Sequence, residues 1–173
     1  MENMEYRIKF RDTLHFYTVS NKLIEAFKAV DSNVCDNYNE RRAHIGIILE
    51  VHDKMYLAPL TSNNKKYLKE NAKYKRIVYP IENGELGFVR IGNMIPIVES
   101  EVSPVIIANI ENVKYKNLLI NQYSFLRKTE NIHRIRAQAN KLYEKRLNND
   151  RYFLADIMCN FKLLEEICSK MIE

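Results

Sequence analysis

The chain has 173 residues, 46% of them apolar, and carries 27 Lys and Arg against 22 Asp and Glu, for a net charge of +5. That composition excludes a disordered chain, and the length suits one domain, residues 1–173, with a sizeable core. No run approaches the ~18 apolar residues of a membrane helix, and the charged opening Met1–Arg11 lacks a secretory leader pattern, so a cytoplasmic protein is expected. Cys35, Cys159 and Cys168 are odd in number and form no CxxC pair, which fits a reducing compartment. His15, His44, His52 and His133 show no paired-ligand spacing, so neither a metal nor a cofactor is expected.

Phe16–Val19 is a short β-prone run, and Ser20 can cap a helix whose apolar face is Leu23, Ile24, Phe27 and Val30. Residues 31–42 are polar and read as a loop, containing Tyr38 and ending in Arg41–Arg42. Ile45–Val51 and Met55–Leu60 read as two strands joined at His52–Asp53, with Pro59 suiting a strand terminus because it has no N–H to donate. Residues 61–75 are polar and strongly basic, with helix in parts. Ile77–Tyr79, Leu86–Ile91 and Met94–Val98 are further strand candidates, punctuated by Gly84, Gly87, Gly92 and Pro96. After Pro104 the spacing turns helical: first Tyr115, Leu118, Leu119, Gln122 and Leu126, then Ile132, Ile135, Ala139 and Leu142, then Phe161, Leu164, Cys168 and Met171. Tyr115, Leu119, Tyr123 and Phe125 read as core. The order, strands first and helices after, predicts an α+β fold with helices packed on a strongly bent sheet or small barrel.

Thr61 and Ser62 follow an apolar strand at once, and Lys65 and Lys66 follow them. A strand end mounts polar groups rigidly, hydroxyls bond phosphate oxygens, and cations neutralise developing charge. A hairpin across His52–Asp53 would bring Arg42 to the same edge as Thr61–Ser62. The same residue types also serve as an ordinary turn or helix cap. The basic run with Lys65, Lys66, Lys69, Lys73, Lys75 and Arg76, interleaved with Tyr67, Tyr74 and Tyr79, suits a groove for unpaired bases and equally a solvated face with packed tyrosines. His44 is a candidate base by its ordinary pKa of ~6.5, and a candidate packing residue by its place at a strand start.

The segments Phe16-Tyr17-Thr18-Val19-Ser20, Ala43-His44-Ile45-Gly46-Ile47-Ile48-Leu49-Glu50 and Lys54-Met55-Tyr56-Leu57-Ala58-Pro59-Leu60-Thr61-Ser62 resemble the opening of the ToxN/AbiQ family in order and spacing. Met94-Ile95-Pro96-Ile97-Val98 through Glu101-Val102-Ser103, the stretch Tyr115–Arg127, and Cys159–Glu166 resemble later segments of the same family. The resemblance implies a type III toxin: a compact SH3-like β-barrel of the MazF/PemK/Kid kind, elaborated with helices, that cuts RNA without metal. It implies as partners a small repeated RNA antitoxin folded as a pseudoknot, a cellular or phage RNA substrate and no membrane, in closed toxin–RNA assemblies. Its catalytic positions fall on Thr61, Ser62, Arg42 and Lys65, with Arg41, Lys54, Lys66, Tyr67, Lys69 and Lys73 as RNA-contacting candidates. Leu23 stands where the family's first helix carries a tyrosine. The implied chemistry is attack by the substrate's 2′-hydroxyl, leaving 2′,3′-cyclic phosphate and 5′-hydroxyl ends. The alternatives are a MazF-like toxin with a protein antitoxin, and a non-catalytic RNA-binding module.

Overall fold

The computed structural model describes residues 14–36, 45–62 and 65–172, with the side chains of 65–67 outside that description. Seven strands are formed by the described residues: β1 Phe16–Val19, β2 Gly46–Val51, β3 Lys54–Thr61, β4 Tyr79–Pro80, β5 Phe88–Val89, β6 Ile95–Pro96 and β7 Val102–Pro104. The helices are α1 Asn21–Lys28, α2 Lys65–Glu70, α3 Val113–Leu126, α4 Thr129–Arg146 and α5 Phe161–Ile172. The sheet is antiparallel and open, ordered β4-β5-β3-β2-β1-β7, with β6 added on β3. The expected α+β class is therefore correct.

Local chemistry accounts for the elements. The Ser20 hydroxyl accepts from the Leu23 N–H at 3.2 Å, capping α1 as its residue type predicts. Leu23, Ile24 and Phe27 are buried on the apolar face of α1, and Val30 is exposed beyond its end. β2 and β3 pair in full register from Val51 opposite Lys54 to Gly46 opposite Pro59. His52 and Asp53 have φ of 48° and 63°, the left-handed pair that a two-residue hairpin needs.

Pro59 lies near the end of β3, as expected of it, yet still within the ladder, two residues short of Thr61. The partner chain explains how the sheet tolerates it. Thr61 pairs with Phe88 and Leu60 with Val89, and the Arg90 N–H donates to the Pro59 carbonyl at 2.8 Å. The register then breaks at Ile91–Asn93, a 3-10 turn, before Leu57 pairs with Ile95 and Tyr56 with Pro96. The interruption falls beside the residue that lacks a donor, as a bulge should. β3 thus bends between two short partners. That bend is also why the three strand candidates after Ile77 are only two residues long in the ladder. β7 is a strand the sequence reading missed, because Val102-Ser103-Pro104 is too short and polar to signal one without β1 beside it.

Glu165 joins the helices to the hairpin, and Glu144 of α4 adds a contact to the His52 ring at the turn at 2.9 Å. Glu165 of α5 accepts from the Tyr56 hydroxyl at 2.5 Å and the Tyr143 hydroxyl at 2.8 Å, and pairs with the Lys54 ammonium at 2.5 Å. Rings of Tyr56, Tyr143 and Phe161 pack around it. At the hairpin turn the His52 ring stacks on Tyr143, and the His52 N–H donates to Asn140 of α4 at 3.3 Å. Burial by itself pushes the Glu165 carboxyl up, but the bonds from Lys54, Tyr56 and Tyr143 outweigh it and hold its pKa below the usual carboxylate range. A carboxyl depressed on folding contributes stability above its ordinary value of 4.5, and that contribution is lost as pH falls through the folded-state value. Urea midpoints measured from pH 7 down to pH 3 are expected to fall less steeply for Glu165→Gln than for the parent. Tyr56→Phe is expected to cost about 1.5–3 kcal/mol at neutral pH, the range for a hydrogen bond to a charged group. Equal acid slopes in parent and Glu165→Gln would contradict the assignment.

Tyr115, expected in the core, is 39% exposed, while Leu119 of the same helix is buried. No helix among the described residues is long and apolar enough to cross a membrane.

Candidate functional site

The end of β3 is fixed from both sides. The Leu60 N–H donates to the Ile45 carbonyl at 2.8 Å where β2 begins, and Thr61 is the last rung against β5. Thr61 is half-buried, and its hydroxyl donates to the Ser62 carbonyl at 2.8 Å. Ser62 is exposed immediately past the ladder. One hydroxyl is therefore set by the sheet and the next is presented to solvent from a backbone that the first one steadies.

The neighbouring turn is shaped to let this happen. Gly87 has φ +100°, and a Cβ built on it would lie 1.9 Å from the Thr61 carbonyl oxygen. Only a residue without a side chain lets β5 approach β3 this closely in that backbone conformation. The turn is held by the Ile81 N–H donating to the Gly87 carbonyl at 2.9 Å. Gln122 of α3, a buried side chain, donates to the Leu86 carbonyl at 2.7 Å.

The cations expected around these hydroxyls are distributed unevenly. Arg41, Arg42, Tyr38 and His44 lie outside the described residues, as do the side chains of Lys65, Lys66 and Tyr67. The backbone of α2 starts at Lys65, three residues after Ser62, and continues through an exposed Lys69 into a 3-10 turn, Ala72–Arg76. Lys73 is exposed and faces Asp156 at 3.5 Å. Lys54 stands at the opposite end of β3 from Thr61, about 23 Å away at the usual strand rise, with its ammonium on Glu165. Leu23, where the resemblance implies a tyrosine, is fully buried. Among the described residues no three His, Cys, Asp or Glu are grouped in a way that could hold a metal ion.

Arg90 was not singled out in the sequence. It follows β5 directly, and its N–H donates to the carbonyl of Pro59, two residues before Thr61, at 2.8 Å. It is half-buried, and no described carboxylate lies within ion-pair distance of it. Burial raises the Cys35 thiol while Arg90 and Lys28 pull against it, so the Arg90 charge is felt at the segment leading toward Arg41–Arg42. That segment is stapled down. Asp31 accepts from the Asn160 N–H at 2.6 Å and the Asn33 N–H at 2.9 Å, and the buried Asn93 amide donates to the Asn33 and Ile157 carbonyls at 3.1 Å each. A charged residue inside the apolar run Leu86–Ile91 was the available signal for Arg90. Its position opposite Pro59 was not available without the register.

Three comparisons bear on this arrangement. The family model for the toxin ToxN of type III toxin–antitoxin systems matches residues 15–169. The endoribonuclease ToxN of Pectobacterium atrosepticum is 36% identical over 164 residues, covering 88% of this chain and 91% of that protein. The endoribonuclease ToxN of Bacillus thuringiensis subsp. kurstaki is 29% identical over 172 residues, covering 94% of this chain and 87% of that protein. A solved structure of a type III system, in which a non-coding RNA pseudoknot selectively inhibits the toxin, superposes with TM-score 0.78 at 27% identity, covering 94% of this chain and 99% of that one.

Proposed function

The chain belongs to the ToxN toxin family of type III toxin–antitoxin systems, and from that membership we propose that it is a metal-independent endoribonuclease restrained by a small RNA. The observation that carries the reading is the end of β3, where Thr61 is fixed in the ladder and Ser62 is exposed beside it. In the proposed reaction the 2′-oxygen of one nucleotide attacks its own 3′-phosphorus and the bond to the next 5′-oxygen breaks. The 2′-proton is removed, and the leaving oxygen takes one up. The products are a 2′,3′-cyclic phosphate and a 5′-hydroxyl, so no water and no protein-linked intermediate enters this step.

Ser62 and Thr61 orient the phosphate and relay a proton, and Arg42 and Lys65 stabilise the charge that builds on the phosphorane-like transition state. Arg42 precedes by three residues the Ile45 carbonyl that accepts from Leu60, which supports placing it at this rim. Arg90, opposite Pro59 and next to the Thr61 end of β3, adds positive potential there. Arg41, Lys66, Tyr67, Lys69 and Lys73 form the track that follows the RNA backbone, while Lys54 belongs to the Glu165 clamp. The bend of β3 between β5 and β6 supports kinship with the SH3-like barrel of the MazF/PemK/Kid ribonucleases. The inhibitor is proposed to be a repeat-derived RNA pseudoknot, as in the similar solved system, held with the toxin in a closed complex.

Incubating the protein with RNA in excess EDTA and analysing the fragment ends tests the chemistry. Cyclic phosphates and 5′-hydroxyls are expected at undiminished rate. Fragments with 5′-phosphates, or cleavage abolished by the chelator, would reject it.

A further inference from the structure

Phe153 is 54% exposed, although Leu154 beside it is buried and its neighbours Ile157 and Met158 are buried too. A ring turned outward next to such residues is not there for want of apolar company. The Arg76 guanidinium lies 5.4 Å from the centre of that ring, and no described carboxylate is within ion-pair distance of it. The Tyr152 ring meets Phe153 edge-on, with centroids 5.0 Å apart at 73°. The backbone underneath is rigid. The Ala155 N–H donates to the Tyr152 carbonyl at 2.8 Å, and Ile77, directly after Arg76, is fully buried with its carbonyl accepting from the Gly92 N–H at 2.8 Å. Lys73 and Lys75 are exposed on the same 3-10 turn as Arg76.

We propose that the exposed Phe153 ring, steadied by Arg76 and Tyr152, is a stacking platform for an unpaired base of bound RNA. An aromatic face takes a base of any sequence, a planar guanidinium extends the stacking surface, and the surrounding cations meet the phosphates on either side of that base. Lys73 faces Asp156 at 3.5 Å, which leaves Lys75 and Arg76 as the local excess of positive charge that favours a polyanion over an apolar protein segment. The segment from Ser62 through α2 and the 3-10 turn links this platform to the end of β3 within one short stretch of chain. This inference rests on the RNA-cutting reading above and adds a contact remote from the reacting bond.

The probe is a fluorescent single-stranded 2′-O-methyl RNA of mixed sequence, which binds but has no 2′-hydroxyl to attack. Phe153→Ala and Phe153→Leu are both expected to weaken binding by about 5- to 150-fold, the span measured for loss of one base–aromatic stack, while Phe153→Trp retains it. A 2-aminopurine in the probe is expected to be quenched by the parent and by Phe153→Trp, and not by Phe153→Leu. Since the ring is exposed, melting temperatures should be unchanged. Phe153→Leu binding as tightly as the parent would overturn the proposal, because an apolar residue without a π-face would then suffice. So would a parent protein that does not bind the probe at all. A second arm measures the antitoxin RNA that co-purifies with each variant. Loss there extends the platform to the antitoxin, and retention with weakened probe binding assigns it to the substrate path. A protein that binds the probe yet never cuts unmodified RNA would refute the ribonuclease reading and leave the platform standing.

Discussion

Ser62→Ala is expected to slow RNA cleavage by about 10²–10³-fold, the usual cost of removing one group aimed at developing charge. The residue is exposed past the last rung of β3, so losing its hydroxyl removes no packing and opens no cavity. Thermal and urea stability should stay within about 0.5 kcal/mol of the parent, as for other surface substitutions. Toxicity in cells should disappear while the antitoxin RNA still co-purifies, since the proposed binding track is made of basic residues apart from the bond-breaking group. Cleavage by Ser62→Ala at the parent rate would remove Ser62 from the mechanism. An undiminished end-group pattern with a lower rate would locate its contribution in the transition state and not in the choice of pathway.

The second large effect falls on a residue with no side chain. Gly87→Ala is expected to destabilise the fold by about 3 kcal/mol or more, because two costs coincide. The backbone at φ +100° is one that L residues rarely adopt, and the new Cβ would sit 1.9 Å from the Thr61 carbonyl oxygen. The clash is with backbone, so no rotamer relieves it. Relief requires β5 to move away from β3, which displaces the rung that positions Thr61 and Ser62. Urea denaturation reads the stability loss directly. Cleavage assayed well below the unfolding midpoint should also fall, which separates displaced hydroxyls from a merely unfolded population. A Gly87→Ala protein with parent stability and parent activity would show that β5 is not held where the turn at Gly84–Gly87 places it.

Much of this molecule was legible in its residues taken in order. Period-3.6 spacing found α1, α3, α4 and α5, the Ser20 cap found where α1 begins, and two residues between apolar runs found the β2–β3 hairpin. These are properties of neighbours in sequence, and helix and hairpin bonds close over short separations. The Thr61–Ser62 pair was legible for the same reason, as polar chemistry at the end of an apolar strand. The resemblance to the ToxN/AbiQ family was also carried by ordered segments, and the family match over residues 15–169 accords with it.

What the order of residues left open was set by contacts between distant parts of the chain. β7 exists because β1 lies beside it, and β5 and β6 are separate strands because the chain bulges opposite Pro59. Lys54 has the residue type of an RNA contact, yet Glu165, more than a hundred residues away in sequence, takes its charge at the far end of β3. Tyr115 read as apolar mass for the core, and packing left it partly facing water, while the exposure of Phe153 had no signal in the order of residues. The physical reason is common to all of these. Periodicity and residue type report which groups want burial or charge partners, but which partner each one meets depends on long-range register, and register is decided only when the sheet bends and the helices close on it.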